Sequence, residues 1–512
     1  MKKESLNAIK RHRTSKLARL IARSYYLHKR GRDERMYQLI CEDFISLGGV
    51  YIKFLQGVLL RSEMMRHWQS PERLKIFENL EHEPLNINAI LSHELKPEQL
   101  AQITNIQPQP FAAGSFGQVY YAQHVNGKPV IIKVLRPMVR ELLRHDLRLI
   151  GAFARRFYVK LFPNMQLNVN EAIRDFRSAT LRETDYIEEA KFANELYQTY
   201  KEHEYFIIPE TFANLCTSHV IVQEYIDGIS AAQLLKLQDQ GVDPKQYIQE
   251  QLDSDLDFQL YTLGVESIKG IFDLPRVQGD PHPGNVRLMS GSRVGLIDFG
   301  IAAKTPSDKA AFFGLISEWS RLYSNHQNIV ELFEQFMRFF VSDLYKALKK
   351  LSTLARGRAE SANFTKEVGQ VAQETFSQAM GGRDLLPLLE DGRIMQIINQ
   401  MINKNNRFGL VMKLEATEIL RAAQTYMTLV DTLGRRAVVL PHVFSAVVEQ
   451  VSRDHPDLLG QSEDHMSIAD ALDTVSNWLE RVAERDPVLF RQLMNRIRLG
   501  KSIDIVKEVA DA

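Results

Sequence analysis

Hydrophobic residues recur at helical spacing through the first part of the chain. Between Met36 and about Gln102 they fall three or four positions apart, which indicates amphipathic helices with a break at Gly48-Gly49. Shorter helices are expected at Pro71–Leu80 and Ile87–His93. This stretch predicts a helical region that precedes any sheet.

Strand-like alternation begins at Pro108 and predicts a small sheet. Residues 111–120 lead into an alternating run, Asn126-Gly127 is typical of a hairpin turn, and Pro129–Val134 supplies the returning strand. Two long helical stretches are predicted at 137–162 and 168–203. Three more strands of the same sheet are predicted at 206–209, 211–216 and 219–224.

A second hairpin is predicted further along the chain. Val286–Met289 and Val294–Ile297 alternate as strands and are joined by the turn-rich segment Ser290–Arg293. From residue 306 to 450 the apolar spacing is helical again, as at Ile329–Phe339 and Leu420–Leu433.

The composition narrows the class of protein. The 512 residues, 45% hydrophobic and 25% charged, are typical of a globular chain of two or more domains. The formal net charge of +1 gives no reason to expect a nucleic-acid partner. Cys41 and Cys216 lie far apart, so we expect neither a disulfide framework nor zinc, and a reducing compartment fits. Neither a membrane-spanning run nor a secretory signal is expected.

Residues 1–35 carry a strong positive charge. Twelve Lys and Arg residues stand against three acidic ones, and Leu17, Leu20, Ile21 and Tyr25 fall at helical spacing among them. Two interpretations are equally favoured: a solvated tail, and a basic amphipathic helix that docks on an anionic membrane surface. An Arg-rich, acid-poor start also resembles an organelle transit peptide.

Two acids and an amide define the candidate chemistry. Asp280 precedes Asn285 by five positions, and Asp298 follows thirteen positions later in an Asp-Phe-Gly turn. In phosphoryl-transfer sites with this spacing, the first aspartate faces the nucleophile while the asparagine and second aspartate hold Mg²⁺. A lone Asp-Phe-Gly is usually an ordinary turn, but three such residues at these offsets favour the catalytic interpretation. The second hairpin would bring Asn285 and Asp298 side by side.

A glycine-bearing loop supplies the other half of the candidate site. The stretch from Ala112 to Val119 follows the G-x-G-x-x-G-x-V pattern of nucleotide loops, with alanine replacing the first glycine. Lys133 on the returning strand is expected to neutralise phosphate charge, and Glu189 to pair with it. The candidate ATP-binding residues are Ala112, Ala113, Gly114, Ser115, Gly117, Val119 and Lys133, with Glu224 and Ile226 in a hinge whose backbone would bind adenine.

Four motifs in this order resemble the UbiB/AarF family of atypical, protein-kinase-like proteins associated with ubiquinone biosynthesis. The family's K-x-G-Q motif corresponds to Lys53–Gln56, its alanine-rich loop to Ala112–Val119, and its E-x-D with E-A to 183–190. The fourth, D-P-H-P-G-N together with D-F-G, corresponds to Asp280–Asn285 and Asp298–Gly300. The resemblance covers roughly residues 36–450. D-P-H-P-G-N is highly specific, and the common order makes chance agreement improbable.

The sequence departs from the family pattern at three positions. Leu55 replaces the glycine of K-x-G-Q, Gly114 stands where the family usually has alanine, and Gln278 replaces the usual histidine before the catalytic aspartate. No A-P-E-like segment follows Asp298, and Gly279 stands where conventional protein kinases have the arginine of H-R-D. The lack of an A-P-E-like segment and the glycine at position 279 argue against a conventional protein kinase.

The resemblance implies a bilobal protein-kinase-like fold of the α+β class, with a helical N-terminal extension and a helix-rich C-lobe. It also implies that Lys53 and Gln56 face Glu183 and Asp185 across the site and regulate it. The expected domains are a basic tail at 1–35, the helical extension at 36–104, an N-lobe at 105–227, a C-lobe at 228–450 and a helical C-terminal segment at 451–512.

Residues and resemblance together predict an ATP- and Mg²⁺-dependent ATPase, or small-molecule or lipid kinase, that supports isoprenoid quinone biosynthesis. Asp280, Lys133 and Glu189 are the expected catalytic residues, and Asn285 and Asp298 the metal ligands. The alternatives are a nucleotide-gated lipid- or protein-binding scaffold and, ranked last, an antibiotic-type phosphotransferase. Expected partners are ATP and quinone precursors or lipid. The expected location is cytoplasmic and peripheral to the inner membrane face, with mitochondria as the alternative in a eukaryote.

Overall fold

The computed structural model describes residues 3–55, 84–114, 116–154, 169–323, 335, 339 and 414–459. The chain divides into two compact units. The first consists of Met1–Glu202, Ile208–Ile226 and Ile297–Ile301, and the second of His203–Ile207, Asp227–Leu296 and Ala302–Ala512.

The first unit is built on a five-stranded antiparallel sheet. β3 (Gly117–His124) and β4 (Pro129–Leu135) form its central hairpin, and β6 (Val220–Glu224) pairs with β4. β1 (Ile103–Thr104) and β2 (Ala112–Ala113) both pair with β3. The predicted turn is confirmed, because Gly127 has a φ of 88° that suits glycine.

The two faces of this sheet have different surroundings. Gln118 and Tyr120 are buried on one face, where the Leu85 N–H donates to Gln118 Oε1 at 3.0 Å and to Tyr120 Oη at 2.9 Å. Val119 and Lys133 are register partners, so they lie on the opposite face. That second face carries the candidate nucleotide-binding side chains.

The helices of the first unit are mostly where the apolar spacing predicts them. The predicted break is confirmed, since Gly48 and Gly49 have φ values of 68° and 52°. The helix expected at Ile87–His93 is confirmed, and that at Pro71–Leu80 lies outside the described residues. The helices are α1 (Lys3–Lys29), α2 (Asp33–Leu47), α3 (Val50–Phe54), α4 (Ile87–Glu94), α5 (Pro97–Leu100), α6 (Val139–Phe153), α7 (Val169–Arg182) and α8 (Tyr186–Tyr200).

The apolar stripe of α1 belongs to the core of the first unit. Leu17 and Leu20 are 2% and 0% exposed and lie in one cluster with Phe44, and Ile21 packs against that cluster. Of the four apolar residues in the stripe, Tyr25 alone is exposed, at 45%. A membrane-docking helix would need this stripe free, but α2 and α6 cover it.

Of the three strands expected after α8, one forms in full within the first sheet. The strand predicted at His219–Glu224 is confirmed as β6. β5 (Phe206–Ile207) instead pairs in parallel with a strand of the second unit. At 211–216 the prediction is confirmed only at the start, where Thr211 forms an antiparallel bridge with Gln223 of β6, and Ala213–Leu215 then forms a 3₁₀ turn. Phe212 and Leu215 are both buried in one cluster, and only a helical turn directs residues three apart to the same side.

The second unit combines two small sheets with helices. One sheet has the order β5-β10-β9-β7, and β8 pairs with β11 in the other. The predicted hairpin is confirmed as β9–β10. The strands are β7 (Ile229–Ser230), β8 (Arg276–Gln278), β9 (Val286–Leu288), β10 (Val294–Leu296) and β11 (Ala302–Lys304).

The helices described in the second unit are α9 (Ala231–Asp239), α10 (Pro244–Leu252), α11 (Leu256–Asp273), α12 (Lys309–Tyr323), α13 (Leu414–Thr432) and α14 (Arg436–Asp454). α13 confirms the helix predicted at Leu420–Leu433, whereas most of Ile329–Phe339 lies outside the described residues. Within the described ranges, no helix combines the length and the apolar character that crossing a bilayer requires. The mixture of helices and sheets confirms the α+β class.

Candidate active site

Lys133, Glu189 and Asp298 form a cluster of charges in the first unit. The Lys133 Nζ donates a hydrogen bond to Glu189 Oε1 at 2.6 Å and lies 3.6 Å from Asp298 Oδ1. The Glu189 side chain is 2% exposed, whereas that of Asp298 is 43% exposed. The buried carboxylate therefore holds the lysine, while Asp298 stays accessible to a ligand.

Secondary structure places the two members of the ion pair. Lys133 lies in the middle of the sheet, where β4 pairs it with Val119 of β3 and Ile221 of β6. Glu189 lies in the first turn of α8, and Asp185 caps this helix by accepting a hydrogen bond from the Glu188 N–H at 3.4 Å. The structure thus uses Asp185 to begin the helix that carries Glu189.

Phe299 and Gly300 fix the Asp-Phe-Gly turn. Phe299 is 1% exposed and packs edge-on against Phe192 of α8, with ring centroids 6.2 Å apart. The Gly300 N–H donates to Asp298 Oδ1 at 3.0 Å. A carbon added at Gly300 would lie 3.4 Å from Asp298 Oδ1 and 3.5 Å from Glu189 Oε2. Both distances are ordinary van der Waals contacts, so Gly300 lies against the two carboxylates without being required there for space.

Proximity shifts the pKa values of all three charged groups. Burial alone would lower the pKa of Lys133, but Asp298 and Glu189 raise it well above its ordinary value. Desolvation opposes ionisation of Asp298, yet Lys133, the Gly300 N–H and Lys53 together lower its pKa. Burial raises the pKa of Glu189 to about 6, against the opposing effect of Lys133. At neutral pH all three groups are charged, and the cluster is net negative.

The candidate nucleotide loop is a tight turn between β2 and β3. The Gly114 N–H donates to the Gly117 carbonyl oxygen at 2.9 Å, which closes the loop. Ala112 and Ala113 form β2 and are exposed. Ser115, also predicted to contact nucleotide, lies outside the described residues. Ala112, Ala113 and Gly114 therefore give this part of the loop only small side chains, which would let a phosphate approach the backbone.

The two glycines of this loop differ in how much space surrounds them. A carbon added at Gly117 would lie 2.5 Å from the Val134 carbonyl oxygen and 2.7 Å from the Tyr186 hydroxyl oxygen. At Gly114 the nearest atom would be 4.0 Å away. The fold therefore requires glycine at position 117, and position 114 tolerates a methyl group.

The helical extension reaches this cluster through Lys53. Lys53 lies in α3 and forms an ion pair with Glu183, and its Nζ is 4.9 Å from the ring centroid of Phe116 in the nucleotide loop. Of the four residues predicted to regulate the site, Lys53 and Glu183 form an ion pair with each other. Asp185 serves as a helix cap, and Gln56 lies outside the described residues.

The predicted hinge begins where β6 ends. The Glu224 N–H donates to the Glu210 carbonyl oxygen, and the Tyr225 N–H to that of Pro129, both at 2.9 Å. Ile226 is 7% exposed. These bonds fix the backbone of the segment on the strand next to the one that carries Lys133.

Asp280 and Asn285 lie in the second unit, in the loop between β8 and β9. The Asp280 N–H donates to Gln278 Oε1 at 3.1 Å, and Asn285 Nδ2 donates to the Asp280 carbonyl oxygen at 3.3 Å. A 3₁₀ turn at Pro283–Asn285 follows, and Gly284 donates to His282 Nδ1 at 3.1 Å. The amide nitrogen of Asn285 is thus engaged within the loop, which leaves its oxygen as the atom suited to a cation.

Comparison with known proteins identifies the family. Residues 81–332 match the model of the ABC1 atypical kinase-like domain. The chain belongs to the UbiB/ABC1 family. The chloroplastic protein ACTIVITY OF BC1 COMPLEX KINASE 1 of Arabidopsis thaliana is 30% identical over 288 residues, which are 53% of this chain and 39% of that protein. The probable protein kinase UbiB of Tolumonas auensis is 27% identical over 286 residues, or 54% of this chain and 49% of that protein.

The matched part of the chain spans about two fifths to one half of the length of these relatives. A solved structure, the complex of Rv3197 with erythromycin from Mycobacterium tuberculosis, has a TM-score of 0.45 and 16% identity, over 82% of this chain and 99% of that chain. The family match confirms the predicted kinase-like fold, and it begins at residue 81, after the helix that carries Lys53.

The oxygen ligands that this ABC1 domain offers fit Mg²⁺. Asp298 supplies an accessible carboxylate within a cluster that is net negative, and hard oxygen ligands are what Mg²⁺ prefers. In the part of the chain that the structure describes, no three His, Cys, Asp or Glu side chains are grouped so as to hold a metal. Mg²⁺ would therefore need phosphate oxygens of a nucleotide as further ligands.

Sequence reasoning missed one residue of the ABC1 domain, Tyr186. It is the first residue of α8 and is 1% exposed, and the Lys133 Nζ lies 5.3 Å from the centroid of its ring. A signal was available, because Tyr186 precedes Glu189 by three positions and so lies on the same side of the helix.

The raised pKa of Glu189 predicts a pH effect on the stability of the ABC1 domain. The Glu189 carboxyl has a pKa of about 6 in the folded chain and the ordinary value of 4.5 in the unfolded chain. The folded chain therefore binds the proton of this carboxyl more tightly. The Glu189 contribution to stability is therefore fully present below pH 4.5 and is lost as pH rises through 6, by ~2 kcal/mol.

Glu189→Gln removes this titration. From pH 4.5 to pH 7 we expect the free energy of unfolding of wild type, measured in urea, to fall by ~2 kcal/mol relative to that of the variant. Glu188→Gln, on the same helical turn, is the control and should show no such change. A difference that stays constant with pH would contradict the prediction.

Proposed function

We propose that this chain binds ATP with Mg²⁺ and hydrolyses or transfers the terminal phosphoryl group. The observation that carries the proposal is the cluster in which Lys133 Nζ lies 2.6 Å from Glu189 Oε1 and 3.6 Å from Asp298 Oδ1. This cluster lies on the sheet face of Val119, the valine of the nucleotide loop. Kinase-type sites use the same three charges to hold a triphosphate and its metal.

Each candidate residue has a role that follows from its chemistry. Lys133 would neutralise phosphate charge and Glu189 would keep the lysine extended. Asp298 and Asn285 would hold Mg²⁺, which when bound neutralises the charge that develops on the phosphates. Asp280 would accept the proton of an attacking hydroxyl group or orient a water molecule.

We propose that the reaction supports isoprenoid quinone biosynthesis, with a small molecule or lipid as acceptor. The similarity to a protein named UbiB supports this role. The lack of an A-P-E-like segment after Asp298 favours an acceptor smaller than a protein. Because Leu17 and Leu20 of α1 are buried, contact of residues 1–35 with a membrane would rest on their positive charge.

The test is phosphate release from ATP by the full-length chain, with and without Mg²⁺, anionic liposomes and quinone-precursor phenols. We expect release that requires Mg²⁺, and any stimulation by liposomes should fall at high salt because charge drives the contact. Binding of ATP without phosphate release or labelled acceptor under all these conditions would contradict the enzymatic proposal.

A second candidate is a nucleotide-gated scaffold. The ion pair between Lys53 and Glu183 favours it, because a residue of the helical extension lies close enough to the candidate site to influence Asp298. In a scaffold, ATP would bind tightly and change the contacts of the helical extension, and no ATP would be hydrolysed over hours.

A further inference from the structure

Tyr186 lies between the two elements that would hold phosphate. A carbon added at Gly117 of the nucleotide loop would lie 2.7 Å from the Tyr186 hydroxyl oxygen, so this oxygen is directly against the loop. On its other side, Lys133 Nζ is 5.3 Å from the centroid of the ring. The residue is 1% exposed, so this position is fixed by packing.

The hydroxyl group points to the sheet face of the candidate nucleotide. Val119 and Lys133 share this face because they are register partners. Gly117 shares it because it precedes Val119 by two positions in β3. Tyr186 contacts this face at both Gly117 and Lys133, and thus lies on the side opposite Gln118 and Tyr120.

The hydroxyl oxygen of Tyr186 is available to a ligand. Within the described ranges no hydrogen bond from it to another residue is seen, and it is not among the fully buried side-chain oxygens that lack a partner. The little accessible surface that the residue keeps therefore includes this oxygen, while the ring is enclosed. Two other large buried tyrosines of the first unit differ, because Tyr51 donates to Asp146 Oδ1 at 3.1 Å and Tyr120 donates to Gln118 Oε1 at 2.6 Å.

The surroundings keep this phenol protonated. Burial raises its pKa above the ordinary value, Lys133 acts against this, and the carboxylates of Glu189 and Asp298 add to the rise. A neutral phenol beside a lysine can donate a hydrogen bond to an anion that the lysine attracts.

We propose that Tyr186 is a phosphate-binding residue of the nucleotide site, whose hydroxyl group donates a hydrogen bond to a phosphate oxygen of bound ATP. The inference rests on the proposed function, since it needs a nucleotide at this face. It gives a role to an accessible hydroxyl group that lies between the nucleotide loop and Lys133 and that binds no other residue in the described ranges. It also gives the site a means to distinguish phosphorylated nucleotides from the nucleoside.

The test compares Tyr186→Phe with wild type by calorimetric titration of the full-length chain with ATP, ADP and adenosine. Phenylalanine keeps the ring beside Lys133 and removes only the donor. We expect ATP to bind about tenfold or more weakly, as for loss of a hydrogen bond to a charged group, and adenosine to bind as before. Tyr51→Phe is the matched control, because it removes the hydroxyl group that binds Asp146, and it should leave both affinities unchanged.

The outcomes separate this inference from the proposed function. Wild type that fails to bind ATP would overturn both. If wild type binds ATP and Tyr186→Phe binds it equally well or more tightly, the proposed function stands and the role of Tyr186 is wrong. Equal weakening for ATP and adenosine would also overturn it, because a lost phosphate contact cannot affect a ligand without phosphate. Thermal unfolding of both variants reports whether the fold is kept.

Discussion

Replacing Asp298 with asparagine is expected to lower the rate of Mg²⁺-dependent ATP hydrolysis by about two orders of magnitude or more. Asparagine keeps the size of aspartate and can still accept the hydrogen bond that Gly300 donates at 3.0 Å, so the turn should keep its shape. The change removes a negative charge 3.6 Å from Lys133 Nζ and the anionic ligand that Mg²⁺ prefers. The measurement is phosphate release at saturating ATP across a Mg²⁺ titration.

Asp239→Asn is the control for the loss of one carboxylate. Asp239 ends α9 and is exposed, so the control variant should hydrolyse ATP at the wild-type rate. Unchanged hydrolysis in Asp298→Asn would refute a metal-binding role for this residue. If excess Mg²⁺ restored the rate of ATP hydrolysis in Asp298→Asn, the variant would still bind the metal, but more weakly. The loss of rate would then be smaller than we expect.

Gly117→Ala should destabilise the first unit by about 1–3 kcal/mol and weaken ATP binding, whereas Gly114→Ala should change stability by less than about 1 kcal/mol. An added carbon at Gly117 would lie 2.5 Å from a backbone oxygen, that of Val134, which cannot rotate away as a side chain can. β3 and β4 must separate to admit it, and this moves the loop relative to Lys133. The readouts are thermal unfolding and ATP titration.

The pair of variants is its own control, because each adds one methyl group to the same loop. At Gly114 the nearest atom to the added carbon is 4.0 Å away, an ordinary contact distance. Equal stability of the two variants would show that the β3–β4 pairing is looser than the structure indicates. Alanine at position 114 also matches the alanine-rich loop that the sequence resembles, so this variant should keep its affinity for ATP.

Local signals predicted much of the fold. The turn at Asn126-Gly127 and the hairpin β9–β10 follow from turn chemistry and alternation, which act over a few residues. The pairing of Lys133 with Glu189 was predicted because a kinase-type site needs a glutamate that keeps its lysine extended, and Lys133 Nζ lies 2.6 Å from Glu189 Oε1.

Contacts between distant segments were beyond what the sequence could predict. Nothing in Phe206–Ile207 indicates that it pairs with β10, some ninety positions later, and the two form a parallel pair that no short turn dictates. For Tyr186 the spacing to Glu189 indicates the side of the helix, but its contact with Gly117, which precedes it by 69 positions, is again a contact between distant segments. The pattern of α1 is also ambiguous, since an apolar stripe fits a bilayer and a protein core equally well.

The burial of Leu17 and Leu20 changes how the start of the chain should be manipulated. Truncation of residues 1–35 would strip both leucines from the core, where losing one large side chain costs about 2–5 kcal/mol. It would also remove Arg13, the cationic partner of the buried Asp146. A shortened chain would thus report on folding rather than on lipid affinity. Charge reversal at the exposed Arg11 and Arg19 alters the surface potential and leaves the packed face intact.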